Sequence, residues 1–240
     1  KRGKSVTSVI TDTFPNTFIL AVAAIFIALL LGVFLGVFSA IFKDSILDRI
    51  TLFLSVFGMS VPSFFSAILF AWIFGFLLAD ITGLAMTGSL FEIDDYGNGE
   101  FMNLKNLILP SVTLGIRPLS VIVQLTRNSL LEVLKMDFMR TAIAKGLSKF
   151  IVLFKHGLRN ALNPVVTAVS GWFASLLSGA VFVEYIFAWN GLGKEIVDAL
   201  NMLDLPVVMG AVLFIATIFV LVNFIVDIIY GILDPRIRIT

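Results

Sequence analysis

An all-α, polytopic transmembrane helical bundle is the fold class that this 240-residue chain predicts, and three observations carry that expectation. Hydrophobic residues make up 59% of the sequence and charged residues 14%, with a mean hydropathy of +1.04, outside the range of ordinary soluble domains. The apolar residues gather in runs of about 20 or more, the length a helix needs to cross a hydrocarbon core roughly 30 Å thick. The two-residue alternation of an outer-membrane barrel strand is missing, so the spans are helices.

Five spans follow in order: residues 18–42, 50–79, 107–131, 164–188 and 207–230. The first is far too long for the apolar core of a signal peptide. The third scores weakly by hydropathy, because Arg117 and Pro118 interrupt it and Gln124 and Arg127 lie within it. Gly32 and Gly36 form a GxxxG in the first span, and Gly58, Ser60 and Ser63 flank Pro62 in the second; both patterns favour close helix packing. One transmembrane domain is expected over 1–240, with two notable connections: an acidic one at 80–106 and a basic one at 137–164.

Charge position sets orientation. With 137–164 in the cytoplasm, that side collects Lys43, Arg49, Arg127, Lys135, Arg140, Lys145, Lys149, Lys155, Arg159, Arg236 and Arg238. The opposite side keeps Lys1, Arg2, Lys4, Lys105 and Lys194. The expectation is a cytoplasmic C-terminus and, with five spans, an outside N-terminus. The basic KRGK start sits poorly there, so the reading includes a missing earlier span. The outer connection carries Asp80, Glu92, Asp94, Asp95 and Glu100 against Lys105, which suits either solvation or a soluble partner.

Within 137–164, Phe138, Met139 and Ala142 line one apolar edge of a short helix. Gly146 and Ser148 interrupt it, and Ile151, Phe154, Leu158 and Ala161 resume the spacing. Lys149, His156, Arg159, Asn160 and Asn163 fall on the other face of the second helix. Two readings stand level on composition alone: a handle for a soluble partner, or an amphipathic segment lying on an anionic leaflet. A lipid-binding helix gains area by being continuous, which leaves the central glycine less well explained.

Several chemistries are excluded. There is no cysteine and one histidine, which removes disulfides, thiolate sites and histidine-rich metal centres. Gly191-Leu192-Gly193-Lys194 lacks the phosphate-loop Ser or Thr, since Glu195 follows, and Ala188 stands where the first glycine is required. No HExxH or GxSxG is present, so the chain is not read as an enzyme. Energy for any transport then comes from a partner or an ion gradient. Ion-coupled carriers keep several ionisable groups at mid-membrane, and these spans hold few.

Arg117 lies roughly 15 Å of helix from Arg127 and near mid-depth. It reads either as a ligand for a substrate carboxylate or as a structural ion pair or snorkelling side chain, and the second is the preferred expectation. Glu184 is expected to cap or pair with the loop that follows it, and Asp227 to pair with an interfacial arginine.

The order of residues in the basic connection decides between its two readings. Arg140-Thr141-Ala142, then Gly146, then His156-Gly157-Leu158-Arg159-Asn160-Ala161 resembles the cytoplasmic EAA loop of binding-protein-dependent ABC importer permeases of the oligopeptide, dipeptide and nickel branch. Arg140 and Thr141 replace the general Glu and Ala, and Arg159 replaces Pro, variants that suit this branch. Leu47-Asp48-Arg49, Ser60-Val61-Pro62-Ser63-Phe64, Leu109-Pro110, Thr126-Arg127-Asn128-Ser129, the run Glu184 to Gly193 and the ending Leu233 to Arg238 extend the likeness. Asn190 departs from the usual Pro.

The resemblance implies a type I importer permease fold, six spans being usual in the family. It implies a homologous second permease, two ABC ATPase subunits carrying ATP and Mg, and an extracytoplasmic solute-binding protein, all around an inner-membrane, lipid-embedded chain. Nucleic acid is not among the expected partners, and no cofactor is expected on this chain. Peptide is the expected substrate, with an ion-coupled carrier or channel as the alternative. In the coupling loop, Phe138, Met139 and Ala142 are expected as ATPase-groove contacts, Gly146 as the turn, and Arg140, Lys145 and Arg159 as rim charges. Thr141, His156 and Leu158 complete that set. Ser60, Ser63, Arg117 and Gln124 are expected along the translocation pathway.

Overall fold

A computed structural model describes residues 3–93 and 99–233. Lys1, Arg2, Asp94, Asp95, the segment 234–238 and the side chain of Asp227 lie outside what is described, and so do the expectations that fall on them.

The first helix, α1 (Val6–Ile41, 36 residues), starts 12 residues before the expected span. Its opening turns are polar, and local hydrogen bonds hold them: Ser5 Oγ accepts from Ser8 N (3.2 Å), and Thr13 Oγ1 donates to the carbonyl of Val9 (2.8 Å). Hydropathy cannot score a helix fastened this way.

The second expected span is a broken one. Helix α2 (Ile46–Ser60) stops before Pro62, whose extended backbone (φ −62°, ψ 139°) starts α3 (Ser63–Trp72), continued by a wider π turn over Ile73–Leu77. Proline supplies no N–H and drives the preceding residue out of helical geometry, so the chain restarts there. A short α4 (Ala79–Thr82) and an antiparallel hairpin, β1 (Phe91–Ile93) with β2 (Glu100–Met102), follow. Glu92 accepts from Asn103 (3.0 Å) and Asn106 (2.6 Å), so one carboxylate of the acidic connection is structural.

The weakly scoring third span is a continuous helix, α5 (Lys105–Val133). Three of its buried hydroxyls are satisfied within the helix: Ser111 donates to Leu107 O (2.6 Å), Thr113 to Leu109 O (2.8 Å) and Ser120 to Ile116 O (2.8 Å), whereas the buried Thr126 Oγ1 has no hydrogen-bond partner among the described residues. After it come α6 (Asp137–Ala144), α7 (Lys149–Ile151), a π segment (Val152–Leu158) and α8 (Arg159–Ala161). The fourth expected span is shorter than read: α9 (Asn163–Gly179) ends at Ala180, where α10 (Val181–Ile186) restarts. Helices α11 (Leu192–Asn201) and α12 (Leu205–Leu233) complete the described chain.

By length and apolarity α1, α5 and the stretch Leu205–Val226 each suffice to cross a bilayer, and two bent pairs, α2 with Ser63–Leu77 and Lys149–Ala161 with Asn163–Ser178, raise the number to five. The chain is therefore a multi-pass helical membrane protein.

Contacts gather in two compact units. The first comprises Lys1–Ala24, Val61–Gly115 and Gly171–Thr240. There Ile10 packs with Leu192, Ile196 and Ala211, and the Phe14 and Phe214 rings meet edge to face at 4.9 Å. The second comprises Ile25–Ser60 and Ile116–Ser170, with α5 between α1 and α2. The GxxxG works as expected: a Cβ on Gly36 would stand 2.6 Å from Thr126 Cβ and 2.8 Å from Val123 O, and one on Gly32 2.7 Å from Ile122 Cγ2. Gly58 brings α2 equally close to Ser120. Small residues are what allow backbones this near one another without a hydrophobic drive between helices.

Candidate functional site

The basic connection folds as the second unit's most distinctive surface. Met136, extended at φ −69° and ψ 152°, precedes α6, and Thr141 Oγ1 donates to Asp137 O (3.0 Å). The helix ends at Gly146, whose φ of +78° closes it with Gly146 N donating to Ile143 O (2.9 Å). Ser148 then caps the next helix by accepting from Ile151 N. The π segment Val152–Leu158 widens that helix and sets Gly157 against Leu130 and Met139.

This segment is anchored from within. Met139, Ala142, Val152 and Ala161 form one cluster with Val37 and Ala40 of α1 and Leu130 and Val133 of α5. The expected apolar edge is thereby corrected. Met139 (1% exposed) and Ala142 (7%) face this chain's own core and are not free to enter a partner's groove. A helical repeat identifies an apolar edge but does not say whose core it joins. Of the other expected contacts, Phe138, Arg140, Thr141, Lys145, Gly146 and Arg159 are exposed, while His156 and Leu158 are half-buried. The outward apolar face comprises Ile143, Leu147 and Phe150, which sequence reasoning missed, together with Phe154, which it had placed on the apolar edge of the second helix. Phe150 and Phe154, four residues apart with rings 4.5 Å from each other, were the available signal.

The second unit also holds a buried ion pair. Arg127 of α5 donates from Nε to Asp48 Oδ1 (2.6 Å) and from Nη2 to Asp48 Oδ2 (2.6 Å). Asp48 also accepts from Ser39 Oγ and from Asp44 N (2.9 Å), the latter residue holding a left-handed φ of 66°. One carboxylate thus ties the end of α1, the α1–α2 turn, α2 and α5. The two short motifs that contain Asp48 and Arg127 were visible in the sequence, but their pairing across 79 positions was not.

The residues expected along the pathway are Ser60, Ser63, Arg117 and Gln124. Gln124 Nε2 donates to Met59 Sδ (3.3 Å), and Ser60 Oγ returns to Val56 O (2.9 Å). Ser63 belongs to the first unit. Arg117 is exposed and has no ion-pair partner among the described residues.

In the first unit, the run 184–193 forms a clasp. Glu184, fully buried, accepts from Lys194 N (3.1 Å) at the start of α11, as the expectation of a capping role held. Trp189 Nε1 donates to Asn16 O (3.0 Å), Leu192 N to Thr17 Oγ1 (2.8 Å) and Asn190 N to Ser89 Oγ (3.3 Å). Gly193 is required because a Cβ there would lie 2.6 Å from Val181 Cα.

Among the described residues no group of three or more His, Cys, Asp or Glu side chains is placed to hold a metal.

Residues 32–239 match the family model described as binding-protein-dependent transport system inner membrane component. The chain is 41% identical to the di/tripeptide transport system permease protein DppB of Pseudomonas aeruginosa over 94% of its own length and 71% of that protein's. It is 39% identical to the dipeptide transport system permease protein DppB of Alkalihalophilus pseudofirmus, over 82% of this chain and 63% of that one, so it spans less than two thirds of that relative. An inward-facing structure of the MetNI methionine ABC transporter superposes with a TM-score of 0.70 at 16% identity, covering 95% of this chain and 97% of that one, a likeness of fold. With the family model covering most of its length and relatives this similar along it, the chain belongs to the binding-protein-dependent transport system inner membrane component family.

Proposed function

We propose that this chain is a permease subunit of an ATP-driven peptide importer, forming half of a translocation pathway with a homologous second permease. ATP and Mg act on two separate ABC ATPase subunits, and a solute-binding protein delivers substrate outside. The printed function of the relatives, dipeptide and di/tripeptide transport, supports the substrate class.

One observation carries the coupling role: the connection 137–161 is fastened to α1 and α5 by buried Met139, Ala142, Val152 and Ala161, while Ile143, Phe150 and Phe154 stand exposed beside basic side chains. A part that is rigid on its inner side and sticky on its outer side transmits force; a flexible loop would absorb it. ATP-driven closure of the ATPases is then passed through this segment to the spans. Phe138, Arg140, Thr141, Lys145, Gly146, His156, Leu158 and Arg159 belong to it, the charges serving as rim contacts. Ser60, Ser63, Arg117 and Gln124 line the pathway. The segment and the C-terminus are assigned to the cytoplasm on the Lys and Arg bias of the connections, to which Lys149, Lys155 and Arg159 contribute.

The test is purification of the tagged chain from native membranes, followed by reconstitution. Two ATPase chains and a second permease should copurify, and labelled dipeptide uptake should require ATP and the binding protein. Uptake driven by an ion gradient, with no ATPase recovered, would establish the carrier alternative instead.

A further inference from the structure

Helix α5 carries two arginines within its apolar stretch, and they differ in one respect. Arg127 is gripped bidentately by Asp48 at 2.6 Å. Arg117 is exposed and makes no ion pair among the described residues. Its neighbours one turn away on the helix, Thr113, Leu114, Ser120 and Val121, carry no charge. On α2, Gly58 packs beside Ile116 and Ser120, and it too brings no carboxylate.

Snorkelling does not resolve the matter. Arg117 follows Lys105 by 12 residues and precedes Val133 by 16. Those separations are roughly 18 and 24 Å of helix, beyond what one arginine stem spans. A guanidinium held at that depth needs water or an anion beside it, because in hydrocarbon it would be uncompensated. Seven residues further on, and so on the same side of the helix, Gln124 donates only to the weak acceptor Met59 Sδ at 3.3 Å. Arg117 and Gln124 thus share one side of the helix, where the Arg117 charge is uncompensated among the described residues, while the charge of Arg127 is matched.

We propose that Arg117 is a specificity-determining residue of the pathway, the ligand for a carboxylate of the transported peptide. A planar guanidinium matches a carboxylate through two parallel N–H···O bonds, a fit that lysine does not reproduce. The proposal rests on the peptide-import reading and narrows it to substrates with a free carboxylate.

The experiment uses the assembled transporter in proteoliposomes with a labelled dipeptide bearing a free C-terminus. Arg117→Gln should lower its ATP-dependent uptake about tenfold or more, as expected for one lost charge-assisted pair. Arg117→Lys should recover part of it, and the yield of assembled complex should equal the parent's for both. Uptake unchanged in Arg117→Gln would overturn the proposal. A fall in uptake matched by a fall in complex yield would overturn it too, by assigning Arg117 to subunit pairing. No ATP-dependent uptake by the parent complex would overturn the importer reading, and this inference with it.

Discussion

Asp48 and Arg127 show how much depends on a single contact. The carboxylate is 1% exposed and accepts from four donors, two on Arg127 and one each on Ser39 and Asp44. Removing one charge leaves the other buried without compensation, so Asp48→Ala should destabilise by about 3 to 5 kcal/mol. The double change Asp48→Ala with Arg127→Met should be less damaging than either single change. Thermal unfolding in detergent measures both, and additive losses would refute a paired role. Gly36→Val acts differently, by forcing α1 off Thr126 and the Val123 carbonyl, at an expected cost of about 1 to 3 kcal/mol in the same assay. The glycine requirement was legible from the GxxxG spacing alone. The ion pair was not, because no local pattern in one sequence reports which distant charge a residue meets.

Helices were legible where their apolar runs are long and their ends are marked by proline or glycine. Pro62 divides α2 from α3 as its chemistry dictates, although hydropathy runs across it and suggests one span. The π turns over Ile73–Leu77 and Val152–Leu158 leave no such mark, since a wider turn changes which residues share a face without changing composition. That widening is one reason the apolar residues of 149–161 divide between core and surface in a way a regular helical repeat does not anticipate. Gly146 is the most testable position in this region. A Cβ there would meet nothing within 4 Å, so Gly146→Val is opposed by its φ of +78° and not by crowding. Strain of about 1 to 2 kcal/mol should distort the turn between α6 and α7 while leaving membrane insertion intact. ATP hydrolysis should then persist with peptide uptake reduced severalfold or more; normal uptake would show that the turn is not part of the coupling.

The transporter reading joins features that no short segment explains by itself. Composition placed the chain in a bilayer, motif order pointed to the importer permeases, and the fold supplied what neither could: an anchored basic segment with its apolar side chains divided between inside and outside. The absence of cysteine makes that division easy to probe, because one introduced thiol per variant is unambiguous. A cysteine at Phe150 or Phe154 should crosslink to an ATPase subunit in native membranes, whereas one at Met139 or Ala142 should be shielded. Crosslinking of the Phe150 and Phe154 positions to phospholipid alone, or their labelling by an impermeant reagent from the exterior, would contradict the assignment of this segment as the contact with the motor.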